Sequence, residues 1–580
     1  MPTFKIKVGS FIFERDLSWD DIAVAKELVK QLGFRWDPEA RMWVREEPPL
    51  LSDAVNTLRF KFGIDLPYTY MKYYRSFAYV VPHVILDYSK FEYEVTRYKK
   101  VSCEEYCEAK GFENIDACVR KCEAEGWNTM LKVEEKVQLW RREDDGVVRI
   151  PRGLASRLDY VIKKFGLPPV KFTGGFNVDG FEGLRDYQVD VGKSLLRAAE
   201  LYGGGIAVMA TGGGKSYMAG WLAKQLVRNG YNVVVTSLSL DLTAQLRDFA
   251  KRWGVDATAV TIQTLYRRLL NEKDGNGGNG DDKELDEEDR EVLQYMDEED
   301  LSKQEVDRLH RVFFSRKTAV IIDEAHHVPA RTVKAVAMSV GDGWGLRFGL
   351  TATPFRNDGR ELEIEAFVGP IIEPRISSSF LIEHGYAVPV TIRMLRTGDW
   401  GCESRLDVDN PARAYAHVRK CLAENRERNE FIMRLIEEAP KPVLVITPLV
   451  KHAELLHKMA RERFDKVALV TGVVKGTERE RIFNAVREGG VDVLVATTLA
   501  DEGLDLPPLR SLIVALGGKS KTRTLQRVGR LVRPFEGKEE AVVYDVWDKA
   551  EYFVKQGEVR KQLYETEPNW KIKVEWTGIG

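Results

Sequence analysis

The sequence predicts an α/β protein in which two units with parallel sheets follow each other, behind an N-terminal α+β accessory region and a helical cysteine hairpin. Between about residues 171 and 395, short Val/Ile runs such as YNVVVTSL and TAVIID alternate with helical stretches. That alternation is typical of parallel strands that helices cover on both faces. The pattern restarts at KPVLVITP, residues 441–448, and continues to AVVYDVWD, so the unit is present twice.

Length and composition indicate a protein made of several globular domains. The 580 residues are too many for one hydrophobic core. The sequence shows no apolar run of about 18 residues, the length that a membrane span needs, and the opening MPTFKIKVGS resembles no secretory signal. Six cysteines do not suggest a secreted scaffold, so we expect a cytoplasmic protein, with Cys402 and Cys421 as ordinary packing residues. The net charge of -2 favours no class of partner.

Composition divides the chain into six predicted segments. They are an α+β module at 1–70, an accessory region at 71–170, the first parallel unit at 171–395, a helical linker at 396–440, the second parallel unit at 441–550 and a tail at 551–580. The first unit contains an insertion at 271–312. Its Gly/Asn tract predicts a flexible linker, and its acidic remainder predicts solvated helix.

The N-terminal module is expected to contain a β-hairpin at LGFRWDPEARMWVRE, where arginines alternate with Phe34, Trp36 and Trp43. Aromatic faces can stack on bases while arginines hold phosphates. Tryptophans in a hairpin also fill small cores. The residues leave both interpretations open, and the same holds for the Tyr-rich stretch at 71–100.

Four cysteines form two pairs with a spacing of four: Cys103 and Cys107, then Cys118 and Cys122. On helices each pair shares one face, and a break at Gly111 predicts two antiparallel helices with facing thiols. Three states fit this arrangement. The thiols form the disulfides Cys103–Cys122 and Cys107–Cys118, as in twin C-x-x-x-C hairpins, or they hold Zn²⁺ or an iron–sulfur cluster, or they are unlinked.

The stretch GGGIAVMATGGGKSYMAGWLAKQLV, residues 203–227, predicts a strand, a glycine loop and a helix. Such a loop curls so that its N–H groups and the helix N-terminus face an anion. Lys215 would add a charge at the β- and γ-phosphates of a nucleotide, and Ser216 a hydroxyl to Mg²⁺. Met209 departs from the first glycine of the usual pattern, and a glycine-rich turn without a ligand is the alternative. The residues expected at the phosphates are Thr211, Gly212, Gly213, Gly214, Lys215 and Ser216.

A second motif, TAVIIDEAHHVPA at residues 318–330, places two acids and two histidines after an apolar strand. A phosphate loop needs a carboxylate at a neighbouring strand end to hold Mg²⁺, and Asp323 is in that position. Glu324 can then polarise the attacking water. A helical HExxH zinc site is excluded because His326 and His327 are adjacent. An acidic turn with only a capping role is the alternative.

The motifs ATGGGKS, DEAHH, GLTATP and QRVGRLVR, in this order over about residues 175–550, resemble those of superfamily 2 helicases and translocases. The resemblance implies two RecA-like domains that bind ATP and Mg²⁺ between them. It also implies that SLSLDLTAQ and TIQTL grip a nucleic-acid backbone. The residues implied in adenine recognition are Phe181, Arg185 and Gln188, and those implied in coupling hydrolysis to domain movement are His326, Thr351 and Thr353.

In the second unit, the resemblance implies that Gly503 and Asp505 contact the nucleotide, and that Gln526, Arg530 and Arg533 line the cleft. Gln526 is expected to meet the coupling histidine. An arginine supplied by the opposite domain neutralises charge that develops on the γ-phosphoryl group, which contributes about 10³–10⁵ in rate. For these arginines alone, a solvated basic helix is the alternative.

The stretches DEAHHVPART and LTATPFRNDGRELEIEAFVG resemble the XPB-type branch of the superfamily. That branch carries an Arg-Glu-Asp element that helps to open duplex DNA. Arg356, Asn357 and Asp358 stand at this place, so the glutamate is missing. The N-terminal module resembles damage-recognition or HARP-like modules, and only residues 409–438 remain for a short thumb.

The resulting expectation is an ATP-dependent DNA helicase or double-strand translocase that moves 3′ to 5′ and works in repair or recombination. Its expected partners are single-stranded, duplex or forked DNA and a nuclease or repair protein. The motifs do not distinguish sugar types, so an RNA helicase is one alternative. A motor subunit of a restriction or defence complex is another, and a nucleotide-gated scaffold without turnover is a third.

Overall fold

The computed structural model describes residues 2–112, 114–125, 129–144, 146–270, 301–354, 359–402, 411–472, 474, 476–497, 506–518 and 521–579. Two parallel sheets of five and seven strands dominate it, which confirms the predicted α/β class with tandem RecA-like domains. Within these ranges, no helix has the length and apolar character needed to cross a membrane.

The N-terminal α+β module packs two helices against a four-stranded sheet. Its elements are β1 (Thr3–Val8), β2 (Phe11–Asp16), α1 (Trp19–Gln31), β3 (Arg35–Asp37), β4 (Met42–Arg45) and α2 (Asp53–Phe60). The sheet has the order β2-β1-β4-β3. Each helix begins after a serine, Ser18 or Ser52, whose hydroxyl accepts a backbone N–H of the first turn. Alternate β1 residues, Phe4, Ile6 and Val8, form the core with the helices.

The predicted hairpin is present, and it separates its two tryptophans. β3 and β4 pair antiparallel, with Trp36 opposite Trp43. Trp43 is 8% exposed and belongs to the core of the module, whereas Trp36 is 50% exposed. The two rings meet edge to face with centroids 5.6 Å apart. The core interpretation therefore holds for Trp43, while Trp36 presents half of its surface to solvent.

The accessory region contains a second small sheet and a separate two-stranded arm. Its elements are β5 (Met71–Tyr74), β6 (Phe77–Val80), β7 (Glu92–Lys100), α3 (Cys103–Ala109), α4 (Ile115–Glu125), β8 (Met130–Gln138), β9 (Arg141–Arg142), β10 (Val148–Pro151) and α5 (Asp159–Phe165). The small sheet has the order β5-β6-β10-β9. β7 and β8 pair antiparallel over nine residue pairs, and the arm that they form carries α3 and α4.

The cysteine hairpin adopts the disulfide state. Cys103 is bonded to Cys122 and Cys107 to Cys118, so the outer and inner cysteines of α3 and α4 pair as the helical spacing allows. The alternative of Zn²⁺ or an iron–sulfur cluster is not supported, because these sulfurs are engaged with each other. The described residues also contain no group of three or more His, Cys, Asp or Glu side chains that could hold a metal ion.

The first parallel unit is a five-stranded sheet with helices on both faces. Its elements are α6 (Asp186–Tyr202), β11 (Gly204–Val208), α7 (Lys215–Arg228), β12 (Asn232–Thr236), α8 (Leu240–Arg252), β13 (Thr258–Ala259), α9 (Ile262–Leu265), α10 (Lys303–Phe313), β14 (Thr318–Asp323), α11 (Arg331–Ser339), β15 (Leu346–Thr351), α12 (Glu361–Phe367) and α13 (Ser378–Glu383). The strand order is β11-β15-β14-β12-β13. Every residue of β11, β14 and β15 is buried, as continuous Val/Ile runs predict.

The second parallel unit is a seven-stranded sheet. Its elements are β16 (Val390–Arg396), α14 (Pro411–Glu424), α15 (Arg426–Glu438), β17 (Val443–Thr447), α16 (Val450–Arg461), β18 (Val467–Val470), α17 (Gly476–Arg487), β19 (Val493–Thr497), β20 (Ser511–Val514), α18 (Lys521–Leu531), β21 (Ala541–Trp547), α19 (Glu551–Tyr564) and β22 (Trp570–Trp576). The order is β18-β19-β17-β20-β21-β16-β22. The sheet is wider than the expected span of 441–550, because β16 and β22 pair with each other beside β21.

The expectation that Cys402 and Cys421 are ordinary packing residues is wrong, because they form a third disulfide. They lie in different elements, after β16 and on α14, so no helical spacing relates them. Near this bond, the indole of Trp400 donates to Asp548 at 3.1 Å. The guanidinium of Arg428 on α15 donates to both oxygens of Asp548, at 2.7 and 2.8 Å. α15 is thereby packed into the second unit.

Two buried arginines join the accessory region to the first parallel unit. The Arg152 guanidinium donates to the carbonyl oxygen of Gly343 at 2.8 Å and also to carbonyls of Gly203 and Gly345. Arg347 on β15 donates to the hydroxyl of Ser76 in the accessory region. Burial lowers the pKa of Arg152 well below its usual range, and the neighbouring Arg347 charge lowers it further. The carbonyl dipoles therefore hold two like charges together at this junction.

We expect Arg152→Met to destabilise the junction, because several carbonyls lose their donor and each buried unsatisfied group costs about 1–3 kcal/mol. The matched control is Arg141→Met, which changes an exposed arginine of β9 in the same region. Differential scanning calorimetry should show a lower first melting temperature for Arg152→Met only. Equal melting of both variants would contradict a stabilising role for this contact.

Candidate active site

The predicted site residues of the first unit lie at the carboxyl ends of three neighbouring strands. β11 continues into the glycine loop, β14 ends at Asp323, and β15 ends at Thr351. β15 lies between β11 and β14 in the sheet, so the three strand ends meet at one edge. Open parallel sheets bind their ligands at this edge.

The glycine loop has the backbone shape of an anion cradle. Gly212 and Gly214 adopt φ values of 88° and 83°, which side-chain-bearing residues rarely adopt. α7 begins directly after Gly214, so its N-terminal N–H groups point into the loop. From α6, the hydroxyl of Tyr187 and the amide of Gln188 donate to the carbonyl of Gly213, at 3.0 and 3.1 Å. These two hydrogen bonds from α6 therefore hold the glycine loop in place.

Lys215 lies at the first position of α7, between charges of both signs. Its ammonium donates to the carbonyl oxygen of Met209, at 3.3 Å. Burial lowers the pKa of Lys215, and Arg530 and Arg533 act in the same direction, while the acids of the DEAHH motif act against them. Both arginines of the second unit are thus close enough to influence this lysine.

The two acids of the DEAHH motif differ in backbone conformation and in the direction in which their pKa is shifted. Asp323 is buried, and its carboxylate accepts the N–H of Glu324 at 3.0 Å. Glu324 has φ 50° and ψ 49°, a left-handed conformation that is costly for this residue type and that occurs often at functional sites. Burial and the charge of Glu324 raise the pKa of Asp323. Burial alone would raise the pKa of Glu324, but His326 and Lys215 lower it.

The coupling residues of the first unit are in contact. The Nδ1 atom of His326 is 3.4 Å from a carboxylate oxygen of Glu324 and 3.1 Å from the hydroxyl of Thr351. The same hydroxyl donates to the carbonyl oxygen of Thr353 at 2.8 Å. A chain of polar contacts therefore runs from Glu324, the residue after β14, to the segment after β15. Its continuation to Gln526 stays a prediction, because the Gln526 side chain lies outside the described residues.

The side chains expected to recognise adenine all contact other residues of the protein. The amide oxygen of Gln188 accepts the backbone N–H of Arg185 at 2.9 Å, while its amide nitrogen bonds the glycine loop. The Arg185 guanidinium lies 4.1 Å from the ring centroid of Tyr386. Phe181 stacks on Trp221, with centroids 5.5 Å apart. The sequence gives no signal for the contact of Tyr386 with Arg185, because Tyr386 lies after α13 and far from the adenine-recognition segment in sequence.

The arginine-bearing helix α18 of the second unit lies directly against the glycine loop. A β-carbon built on Gly529 would come 2.9 Å from Cβ of Thr211. A β-carbon built on Gly212 would come 3.7 Å from Cγ of Arg533. Burial lowers the pKa of Arg533 to about 10, so its guanidinium is charged at neutral pH. The structure thus brings Arg530 and Arg533 to the loop that was expected to bind phosphate.

Several predicted positions lie outside the described residues. They are Gly503 and Asp505 in the second unit, and the element formed by Arg356, Asn357 and Asp358. The main part of the acidic insertion, at 271–300, is also outside them. Their expected roles stay predictions.

Comparison with known proteins adds independent findings. The family described as "Type III restriction enzyme, res subunit" matches residues 182–356, and that described as "Helicase conserved C-terminal domain" matches residues 427–534. A helicase of Sulfolobus islandicus filamentous virus is 29% identical over 76% of this chain and 78% of the relative. A Rad25 DNA 3′–5′ helicase of Halobacterium salinarum is 32% identical, over 40% of this chain and 37% of the relative. The DNA 3′–5′ helicase XPB of Mycobacterium tuberculosis is 26% identical over 70% of both chains.

The chain is an XPB-like superfamily 2 helicase. The motifs, the order of the two matched families and the contact between the two units agree on this assignment. This helicase is accordingly a nucleic-acid-dependent ATPase. The viral relative is matched over most of its length, whereas the Halobacterium relative is matched over little more than a third.

The residues of the helicase site fit ATP and Mg²⁺. The left-handed glycines and the start of α7 form a cradle in which added β-carbons would crowd: one on Gly214 would lie 2.4 Å from the Gln188 amide. Ser216 and Asp323 offer a hydroxyl and a carboxylate, the hard oxygen ligands that Mg²⁺ prefers. When bound, Mg²⁺ would neutralise phosphate charge. These two residues would hold it beside Lys215.

We expect Glu324→Gln to lower ATP hydrolysis by about 10²-fold or more while ATP still binds, because the amide cannot accept a proton from water. Lys215→Ala should abolish hydrolysis by weakening the hold on phosphate. Steady-state ATPase rates and the affinity for a fluorescent ATP analogue separate the two effects. Turnover at the wild-type rate in Glu324→Gln would mean that another group is the base.

Proposed function

We propose that this helicase is an ATP-driven DNA motor that moves 3′ to 5′, separates strands or translocates along duplex, and serves DNA repair or recombination. The observation that carries the proposal is the contact of α18 with the glycine loop, which builds one site from two units. When two units share a ligand site, a change of the ligand can change the distance and orientation between the units. The names of the Halobacterium and Mycobacterium relatives support DNA and this polarity.

In the proposed reaction, the first unit binds the nucleotide and its metal ion and activates the attacking water. The glycine loop and Lys215 hold the β- and γ-phosphates, and Ser216 and Asp323 hold the metal. Glu324 accepts the proton of the attacking water. His326 and Lys215 keep its carboxylate ionised, which is the form that can accept a proton, and its left-handed backbone turns it away from the path of β14.

The second unit is proposed to supply charge in the transition state. The guanidinium groups of Arg530 and Arg533 neutralise the γ-phosphoryl oxygens, and Gln526 lies on α18 together with Arg530. Burial makes the field of a cation stronger than it would be in water. Loss of the γ-phosphate removes the group that these arginines bind, so the two units separate.

The coupling residues are proposed to carry this change to nucleic acid. A shift of Glu324 reaches Thr351 through His326 and then the backbone of Thr353. Nearby, the hydroxyl of Ser239 caps α8 at the carboxyl end of β12. Backbone N–H groups at a helix N-terminus bind phosphate without reading sequence. We propose that the SLSLDLTAQ segment grips the tracked strand there.

The N-terminal module is proposed as a second DNA contact, through Trp36. Half of this side chain is exposed, and it follows Arg35, another exposed residue of β3. A base stacked on the indole would gain about 1–3 kcal/mol. Trp43, which fills the core, is not part of this contact.

The setting and the partners belong to the same proposal. We propose a cytoplasmic location and a nuclease or repair protein as partner, which fit a DNA motor whose relatives are helicases. Three disulfides in a cytoplasmic protein are unusual outside hyperthermophiles. We therefore propose a hot environment as the native setting.

The proposed function is tested by ATPase rates measured with single-stranded DNA, duplex DNA, forked DNA and RNA. We expect DNA to stimulate turnover at least tenfold and more than RNA does, because binding DNA favours the closed arrangement of the two units. The Lys215→Ala protein is the control for contaminating ATPases. Stimulation by RNA alone would overturn the DNA assignment, and no turnover with any nucleic acid would favour the scaffold alternative.

We expect Trp36→Ala to weaken DNA binding with little change in melting temperature. Trp43→Ala should do the opposite, because loss of a buried tryptophan costs about 3–5 kcal/mol. Fluorescence anisotropy with labelled forked DNA and thermal melting provide the two readouts. Unchanged DNA affinity in Trp36→Ala would contradict the second contact.

A further inference from the structure

Lys538 is a buried lysine close to the arginines of the second unit, and no sequence motif draws attention to it. It follows the tight turn at Gly537 and is 6% exposed. Its ammonium donates to three carbonyl oxygens, those of Leu531 at 2.5 Å, Arg533 at 3.0 Å and Pro507 at 3.1 Å. In the described part of the chain, these carbonyls are its hydrogen-bond partners.

The three carbonyls belong to two segments of the second unit that are expected to face the nucleotide. Leu531 is the last residue of α18, and its carbonyl is among those that a helix end leaves without an internal partner. Arg533 extends two residues beyond that end and lies against Gly212. Pro507 ends the TTLADEGLDLP motif. One ammonium thus fixes the end of the arginine helix against the neighbouring motif.

We propose that Lys538 is a positioning residue, which holds the backbone of Arg533 so that its guanidinium reaches the glycine loop. The inference rests on the proposed role of Arg533 in hydrolysis. Beyond α18, Val532 still donates its N–H to the carbonyl of Val528 and accepts the N–H of Val388. The bond from Lys538 acts one residue further on, at the carbonyl of Arg533 itself. A displacement of about 1 Å at a reacting group can cost on the order of 10²-fold in rate.

The electrostatic setting supports a specific use for this contact. Burial lowers the pKa of Lys538 to about 7, and the nearby Arg510 and Arg533 charges contribute to this. Placing a third cation among two others is unfavourable unless the carbonyls compensate. A methionine at this position would avoid that cost, yet it would donate no hydrogen bond to the Arg533 carbonyl.

A matched control is present in the same unit. Lys441 also donates to carbonyls at a helix end, those of Ile436 and of Ala439. Burial lowers its pKa as well. Lys441→Met therefore removes the same kind of cap, but at the end of α15, where the acceptors are Ile436 and Ala439 and not the arginine segment.

The test compares DNA-stimulated ATPase kinetics of Lys538→Met, Lys441→Met and Lys538→Arg. We expect Lys538→Met to lower kcat about tenfold or more with KM for ATP within about twofold, as for a contact needed only in the transition state. Lys441→Met should leave kcat unchanged. Lys538→Arg, which keeps the charge and the donors, should retain at least a third of kcat. Wild-type kcat in Lys538→Met, or equal losses in both methionine variants, would overturn the inference.

A double-mutant comparison separates this inference from the proposed function. If Lys538 acts through Arg533, Lys538→Met should cause no further loss in an Arg533→Ala background. Additive losses would overturn the inference. Wild-type turnover of Arg533→Ala itself would instead overturn the proposed role of that arginine. Should Lys538→Met fail to fold, Lys538→Gln, which has no charge and only two donor hydrogens for the three carbonyls, takes its place in the same comparison.

Discussion

The site depends on how closely two backbones approach each other. Gly529 on α18 faces Thr211 of the glycine loop at a distance that leaves no room for a side chain. Because this approach is so close, Arg530 on α18 and Arg533, two residues beyond its end, can reach a ligand held by the other sheet. A bulkier residue would separate the sheets by about the width of a methyl group, which is enough to break hydrogen bonds. The chemistry of the arginines thus requires a position with no side chain at all.

The parts of the site that carry charge could be predicted from the sequence because their chemistry depends on spacing along one strand or one loop. Gly212, Lys215 and Asp323 follow strands that are apolar throughout, and parallel topology brings strand ends together without further information. Lys538 and Tyr386 could not be predicted in this way. Each belongs to no periodic pattern, and each gains its contact only from the tertiary arrangement.

The fold, like the site, could be predicted only where a pattern along the sequence marks the element. Buried strands with continuous Val/Ile runs are evident, whereas β22, with the sequence WKIKVEW, alternates with charges as a solvated segment does. Among the described residues it is the edge strand of its sheet, with a strand partner on one side only, and one face meets water. The disulfide between Cys402 and Cys421 could not be predicted from the sequence either. Two cysteines in different elements carry no spacing signal, while four cysteines on two facing helices do.

The position of β22 has a consequence for synthesis. This strand pairs with β16, from which it is separated by more than 170 residues of sequence, while β16 also pairs with β21. A nascent chain therefore emerges from the ribosome with β16 long before either neighbour exists, and pairings of such long range form slowly. During that interval the apolar residues of β16 have neither of their neighbouring strands, so this strand is a site at which the unfinished chain is prone to aggregate.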